Sequence, residues 1–409
     1  MKRGVRFTID FVYGMIGLAV MNAVTSLVVY PLLERRLGAA AQGQVLFFMA
    51  VLAVMAGAFG SAANYGRLKI RTEEGSTENG DYNIFLLSSA LIFIPVMIFS
   101  TVMKGGRAGA SIPGLLVLTA ATVVRYYADV DFRMILNYRK FCCYYLAVAA
   151  GYGVGILLFI WTGSWVLLFL PGEVFGILFT VICGTIFRNR FFRTAGKFRS
   201  HLGTLYGLAG AYFLSDFVGL SDRLILPVIV PGGDELNAVY YYASLVGKVT
   251  SLLSTPLNGV LAGHLAKEEK IPSRRTFLRI LGLLAGIFVV VTLLAFAGSY
   301  AFVWLFYRSH LEAAKPLFLV ANAGQVLAFL GNTLMVIVLR YTHPRYQLIT
   351  SAAYAAAYFA LTIPLTLSFG ITGMAIGILS VNALRFLLFS VFGLFGLKRG
   401  GMNEGGELQ

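Results

Sequence analysis

Apolar runs of about 20 residues alternate with short polar segments along the whole chain, and each run is long enough to cross a hydrocarbon core of about 30 Å. Twelve are legible. They cover 7–33, 44–65, 84–103, 112–130, 142–161 and 168–187, then two runs within 205–264 joined by 231–237, then 280–306, 316–339, 347–367 and 371–397. The pattern predicts an all-α polytopic membrane protein with about 12 transmembrane helices. Lys2, Arg3 and Arg6 ahead of the first run resemble a signal peptide, but the run continues without a small-residue cleavage site and reads as the first span. The segment 67–83, rich in Glu, Gly and Asn, predicts an exposed loop. Trp161 and Trp165 read as interface anchors, and Pro171 followed by Glu173 reads as the start of the sixth span.

Polar positions inside these runs carry the candidate chemistry. The hairpin 205–264 holds Asp216, Asp222, Arg223 and Lys248, although one ionised group at the centre of a span costs about 2.5–3.5 kcal/mol on insertion scales. Tyr212, Asp216, Gly219 and Arg223 share one helix face, as do Tyr241, Ser244, Lys248, Ser251, Thr255 and Asn258. The small and hydroxyl residues fit a helix packing seam as well as a cavity. Lys248 lies too deep to snorkel and points to a wet cavity. Arg125 and Arg385 are the other cations within spans, and Arg125 is spaced to pair with Asp129 on its own helix. Asn322, Gln325 and Asn332 mark the tenth run; Gln347, Ser351, Tyr354, Tyr358 and Thr362 the eleventh; Asn382 and Arg385 the twelfth. Amides and tyrosines beside a few cations suit sugar hydroxyls and phosphate. Asn22 and Asn64 read as helix-helix contacts.

Composition excludes a soluble domain, since 58% of residues are hydrophobic and 12% charged. The net charge of +15 is spread over alternate short loops, which excludes a nucleic-acid patch. One set of loops carries most of the Lys and Arg; the other holds only Arg35, Arg36, Lys104, Arg107, Arg308 and Lys315, so both termini are expected in the cytoplasm. The basic connector 188–200 predicts an N-lobe over 1–199 and a C-lobe over 200–397, followed by a disordered polar tail, 398–409. Tyr13-Gly14 with Gly17, and Tyr206-Gly207 with Gly210, open the halves alike, which predicts two pseudo-symmetric six-helix lobes with a substrate site between them near the midplane. Cys142, Cys143 and Cys183 have no ligand spacing, and His201, His264, His310 and His343 form no cluster. Gly247-Lys248-Val249-Thr250 lacks the first glycine of a phosphate-binding loop, and no nucleotide-binding domain is present, so an enzyme is not expected.

Tyr30-Pro31-Leu32-Leu33-Glu34-Arg35-Arg36-Leu37-Gly38 followed by Gly43, the loop from Asp131-Phe132-Arg133 to Arg139-Lys140-Phe141, and Leu170-Pro171-Gly172-Glu173 resemble the Wzx-type polysaccharide-export flippases. These belong to the multidrug/oligosaccharidyl-lipid/polysaccharide (MOP) exporter superfamily. The resemblance implies a MATE-like fold in a bacterial inner membrane, working by alternating access. It implies an undecaprenyl-pyrophosphate-linked oligosaccharide as substrate, an O-antigen, capsule or exopolysaccharide repeat unit, with membrane lipids, a polysaccharide polymerase and glycosyltransferases as partners. No cofactor is implied beyond coupling to H+ or Na+. Arg223, Lys248 and Arg385 would neutralise pyrophosphate or acidic sugars, with Asp216, Tyr241, Asn258, Asn322, Gln325, Asn382 and Arg125 completing the expected substrate-binding set. Two alternatives stay open: a cation-coupled, multidrug-type exporter of small amphiphiles, and a membrane glycan polymerase or ligase. Against the first, the first span carries Asp10 near its start and Asn22 deeper, rather than a deep acid.

Overall fold

A computed structural model of the protein describes residues 3–74, 77–104, 110–187, 190–252, 273–339, 342 and 345–404. Regular structure among these residues is helical throughout, and eight stretches are long and apolar enough to cross a membrane. This is a multi-pass membrane protein. The chain forms two compact units, Met1–Ile225 and Leu226–Gln409. The division falls after the helix Phe198–Gly219, which packs within the first unit: Leu205 lies against Gly66 and Asp216 against Gly57.

The first unit opens with α1 (Arg3–Val24), which passes through a π turn, Thr25–Val29, into α2 (Tyr30–Leu37). Gly38, at φ 84°, supplies the left-handed residue that turns the chain into α3 (Ala39–Met55), continued by a second π turn, Ala56–Ser61, and α4 (Ala62–Glu74). This stretch is apolar on every side, and 83% of its most apolar window is buried, so it forms the centre of the unit. Around it lie α5 (Asn79–Ser88), α6 (Ala90–Met103), α7 (Ile112–Ala128), the short α8 (Val130–Met134), α9 (Tyr138–Thr162), α10 (Trp165–Cys183) and α11 (Phe198–Gly219).

Three local expectations are corrected. The segment 67–83 is not an exposed loop: α4 runs on to Glu74, α5 begins at Asn79, and Arg67, Ile70, Asp81, Tyr82 and Asn83 are buried, because the polar ones find protein partners. The sixth span begins at Trp165, with Pro171 inside the helix. Gly163 ends α9 in the left-handed conformation and turns the chain straight into α10. Gly151 and Gly155 of α9 then bring the α10 backbone so close that a Cβ on Gly151 would stand 2.6 Å from the Pro171 carbonyl oxygen. Trp161 is 89% exposed, but Trp165 is buried and stacks on Phe48 at 6.2 Å, so it is no interface anchor.

At the junction of the units is α12 (Ser221–Ile229). The second unit comprises α13 (Gly233–Leu252), α14 (Arg274–Phe306), α15 (Phe318–Leu339), α16 (Arg345–Ala357), a third π turn, Tyr358–Thr362, and α17 (Ile363–Glu404). Gly370, at φ 58°, kinks α17 where the sequence separates the last two runs. The core of this unit joins Phe277 and Leu284 of α14, Val326, Leu330 and Leu334 of α15, and Phe389 of α17.

Candidate functional site

In the first unit, charge inside the helices is paired. Arg125 on α7 forms a buried ion pair with Glu173 on α10, not with Asp129, and also lies over the Tyr126 ring at 4.7 Å. Tyr152 donates to the other Glu173 oxygen at 3.0 Å. Asp129 accepts from Asn64 and from the Tyr145 hydroxyl at 2.7 Å, and lies 3.6 Å from Arg133. The spacing suggested an i,i+4 pair for Arg125, but the i+4 neighbour that Asp129 takes is Arg133. Glu173 read as a helix-start acid only because Pro171 suggested a start; inside the helix, it is Arg125's partner.

Where the basic connector meets α4 and α5, Arg67 donates to Tyr127 and to Asn79 Oδ1 at 2.6 Å. His201, in the first turn of α11 and ahead of its apolar stretch, is buried between Asp81 (2.7 Å) and Glu74 (3.2 Å), and Lys197 reaches Glu74 at 3.3 Å. Burial pulls the His201 pKa down, but hydrogen bonds to Asp81 and Glu74 outweigh it and leave the value raised. The hydrogen bond from His201 leads the causes that hold Glu74 below its ordinary range.

Asp216 on α11 differs from these. It is half-buried, and among the described residues no hydrogen bond or ion pair reaches it; Tyr126 and Tyr212 lie within electrostatic reach. Its carboxylate presses on Gly57 so closely that any Cβ there would collide with it. Gly57 sits in the π turn of the central helix, a backbone irregularity that recurs at functional sites. Arg223 is half-buried in α12, within electrostatic reach of Tyr30, and Asp222 is buried in the first turn of that helix, where an acid complements the helix dipole.

In the second unit, Asn322 of α15 is fully buried and bridges three helices. Its Oδ1 accepts from the Gly247 amide at 2.7 Å, while its Nδ2 faces the carbonyls of Ala243 (3.1 Å) and Phe318 (2.6 Å) and the Ser299 hydroxyl (2.9 Å). Ala243 and Gly247 are one ladder step of α13, so the amide is inserted beside that step and fixes the turn that carries Lys248. Lys248 is half-buried, 5.9 Å from the Tyr240 ring centre; Tyr241 is buried and Gln325 half-buried. On α17, Asn382 is buried and donates to Ile378 within its own helix. Arg385 is half-buried over the rings of Tyr354 (5.2 Å) and Phe389 (5.9 Å), with no acid paired to it among the described residues. Asn258 and Thr255 lie outside the described residues, as do His264, Lys267, Lys270, Arg107, Arg188, Arg340 and His343.

Of the expected substrate-binding set, Arg125, Asn322 and Asn382 thus have polar groups engaged by protein, whereas among the described residues no hydrogen bond or ion pair reaches the side chains of Asp216 and Arg385. The α-helical hydrophobic periodicity could not have paired Asp216 with Gly57 or His201 with Asp81, which are far apart in sequence.

The arrangement of helices is similar to that of solved structures of MATE transporters and of a lipid II flippase. The protein is similar to an inward-facing multidrug resistance MATE family transporter (TM-score 0.66, 13% identity, covering 94% of this chain and 99% of that one). It is similar to the lipid II flippase MurJ in an inward closed conformation (TM-score 0.68, 14% identity, 94% and 86% covered) and to the Vibrio cholerae MATE transporter VcmN in the bent form (0.57, 14%, 96% and 96%). At these identities the likeness is one of fold. No sequence-family model matches the chain, and no curated protein matches it.

Proposed function

We infer that this protein is a flippase that moves an undecaprenyl-pyrophosphate-linked oligosaccharide across a bacterial inner membrane by alternating access, with twelve spans and both termini in the cytoplasm. The observation that carries this reading is Arg385: an arginine within an apolar span, held over Tyr354 and Phe389 with no acid paired to it among the described residues. An intramembrane cation without a counter-ion is costly unless a water-filled cavity or an anionic ligand compensates it. Pyrophosphate on a lipid is such a ligand, aromatic faces beside the guanidinium suit sugar rings, and the fold shared with a lipid II flippase supports the lipid-linked class. Lys248 and Arg223 are the further cations this reading assigns to the headgroup, with Tyr241, Gln325 and Asn382 as polar contacts. A polymerase and glycosyltransferases would act on the same glycan before and after.

The test is a flipping assay in liposomes with a fluorescent polyprenyl-pyrophosphate oligosaccharide and a membrane-impermeant quencher. Wild-type protein is expected to make the inner-leaflet pool accessible. Arg385→Gln, losing a charge-assisted contact of about 1.5–3 kcal/mol, is expected to slow this about tenfold or more at equal protein incorporation. Arg385→Gln at wild-type rate removes Arg385 from the site, and no movement by wild type removes the flippase reading. A second reading, cation-coupled export of small amphiphiles, is favoured by the half-buried Asp216 against the π turn. The same liposomes, given an amphiphilic dye and an imposed H+ or Na+ gradient, decide between the two.

A further inference from the structure

The first unit contains an apolar groove of about 420 Å³ between α5, α6, α7 and α10. We propose that it holds the acyl chain of an anionic phospholipid, whose phosphate rests on the basic turn at Arg190 and Arg193. The volume lies within the range of about 300–1,000 Å³ typical of small-ligand sites. Leu86, Ala90, Phe93, Val123 and Val124 form its walls, and Asn83 is the one polar lining residue among the described residues. The Asn83 side-chain nitrogen already donates to the Phe191 carbonyl at 2.9 Å. The other described lining residues are all apolar, and an apolar cavity of this kind takes hydrocarbon.

One end is closed by Phe187 and Phe191 from the segment that follows α10. Its backbone is tied to α5: the Gly80 amide donates to the Arg193 carbonyl at 2.8 Å, and the Arg193 amide closes a turn on the Arg190 carbonyl at 3.0 Å. Arg190 adopts φ 45°, a left-handed conformation that is unfavourable for a non-glycine residue. The turn leaves Arg190 exposed and Arg193 more than half exposed, 3.4 Å from Glu78. Lys197 and Arg199, also exposed, extend the basic surface. An apolar groove whose lining residue Phe191 sits in a turn with exposed Arg190 and Arg193 matches a lipid with one hydrocarbon end and one anionic end, and basic pockets between spans recognise anionic headgroups. Bulk lipid fills such a groove by mass action, so the abundant anionic phospholipid occupies it in preference to a scarce carrier lipid. The assignment holds whatever substrate the protein moves.

Native mass spectrometry of the delipidated full-length protein, titrated with phosphatidylglycerol or phosphatidylcholine of equal chain length, tests this. Wild type is expected to retain phosphatidylglycerol at several-fold lower concentration than phosphatidylcholine. Ala90→Phe, which fills the groove, loses retention of both lipids; Val124→Phe fills it from the opposite wall and serves if the first variant is not monodisperse. Arg190→Gln with Arg193→Gln abolishes the preference but keeps chain binding. Wild-type retention in both groove-filling variants overturns the site, and displacement of phosphatidylglycerol by equimolar undecaprenyl phosphate overturns the assigned occupant.

Discussion

Charge buried in the unit Met1–Ile225 is met by protein groups. Arg125 faces Glu173, Asp129 is held by Asn64, Tyr145 and Arg133, and His201 sits between Asp81 and Glu74. In the unit Leu226–Gln409 the deepest bridging polar group, Asn322, is neutral, while Arg385 meets only aromatic rings among the described residues. Arg125 and Arg385 are equally improbable in an apolar span, yet they solve the cost in opposite ways. One is satisfied within the fold and holds helices together. The other has no acid paired to it among the described residues, and the proposed function assigns it to a mobile anion. Asp216 is the exception in the first unit, and its position against a π turn of another helix separates it from the paired acids.

The comparison is broken most directly at Glu173. Glu173→Gln leaves Arg125 as an uncompensated buried charge and is expected to destabilise the protein by about 3–5 kcal/mol, read as thermal unfolding in detergent. Replacing both, Arg125→Met with Glu173→Leu, should recover most of that loss. A single variant as stable as wild type would mean that Arg125, like Arg385, is not held by its pair.

A smaller effect is expected at Asn322. Asn322→Leu lets Gly247 and Ala243 pair with each other, so the stability loss should be about 1 kcal/mol, near the measured range for polar contacts between membrane helices. Because the amide fixes the turn carrying Lys248, transport should fall by more than stability predicts. Proportionate losses would make Asn322 a packing residue alone.

The smallest effect is a pH dependence at His201. Its folded value is raised above the usual 6.5, so its stabilisation is fully present below pH 6.5 and is lost as pH rises through the raised value. Glu74, held below its usual 4.5, contributes above pH 4.5 and loses that contribution as pH falls through its lowered value. Asp81 and Lys197 complete the charged groups packed on this cluster. Wild type should therefore melt at a higher temperature at pH 6 than at pH 8, by a margin that shrinks in His201→Gln. An unchanged margin would detach the histidine from the stability of the connector.

Much of the fold was legible because membrane insertion makes hydrophobicity a strong constraint. The boundary between the last two runs fell at Gly370, and the joint between the seventh and eighth runs fell where α12 gives way to α13. Legibility failed where polar residues are buried by partners distant in sequence. Arg67, Asp81 and Asn83 look exposed in a window of polar neighbours, and only α7, α11 and the segment after α10 supply what buries them. Pro171 misled for a related reason: a proline read locally starts a helix, yet two glycines of α9 accommodate it inside one.

The sequence by itself determined that this chain crosses a membrane many times and which few polar groups must be explained within it, because the free energy of inserting each side chain depends mainly on its own chemistry. Tertiary structure alone decided which of those groups find partners within the protein. Pairing depends on side chains from different helices meeting at hydrogen-bond distance, and residues such as Arg125 and Glu173 carry no mark of their partnership until α7 and α10 pack together.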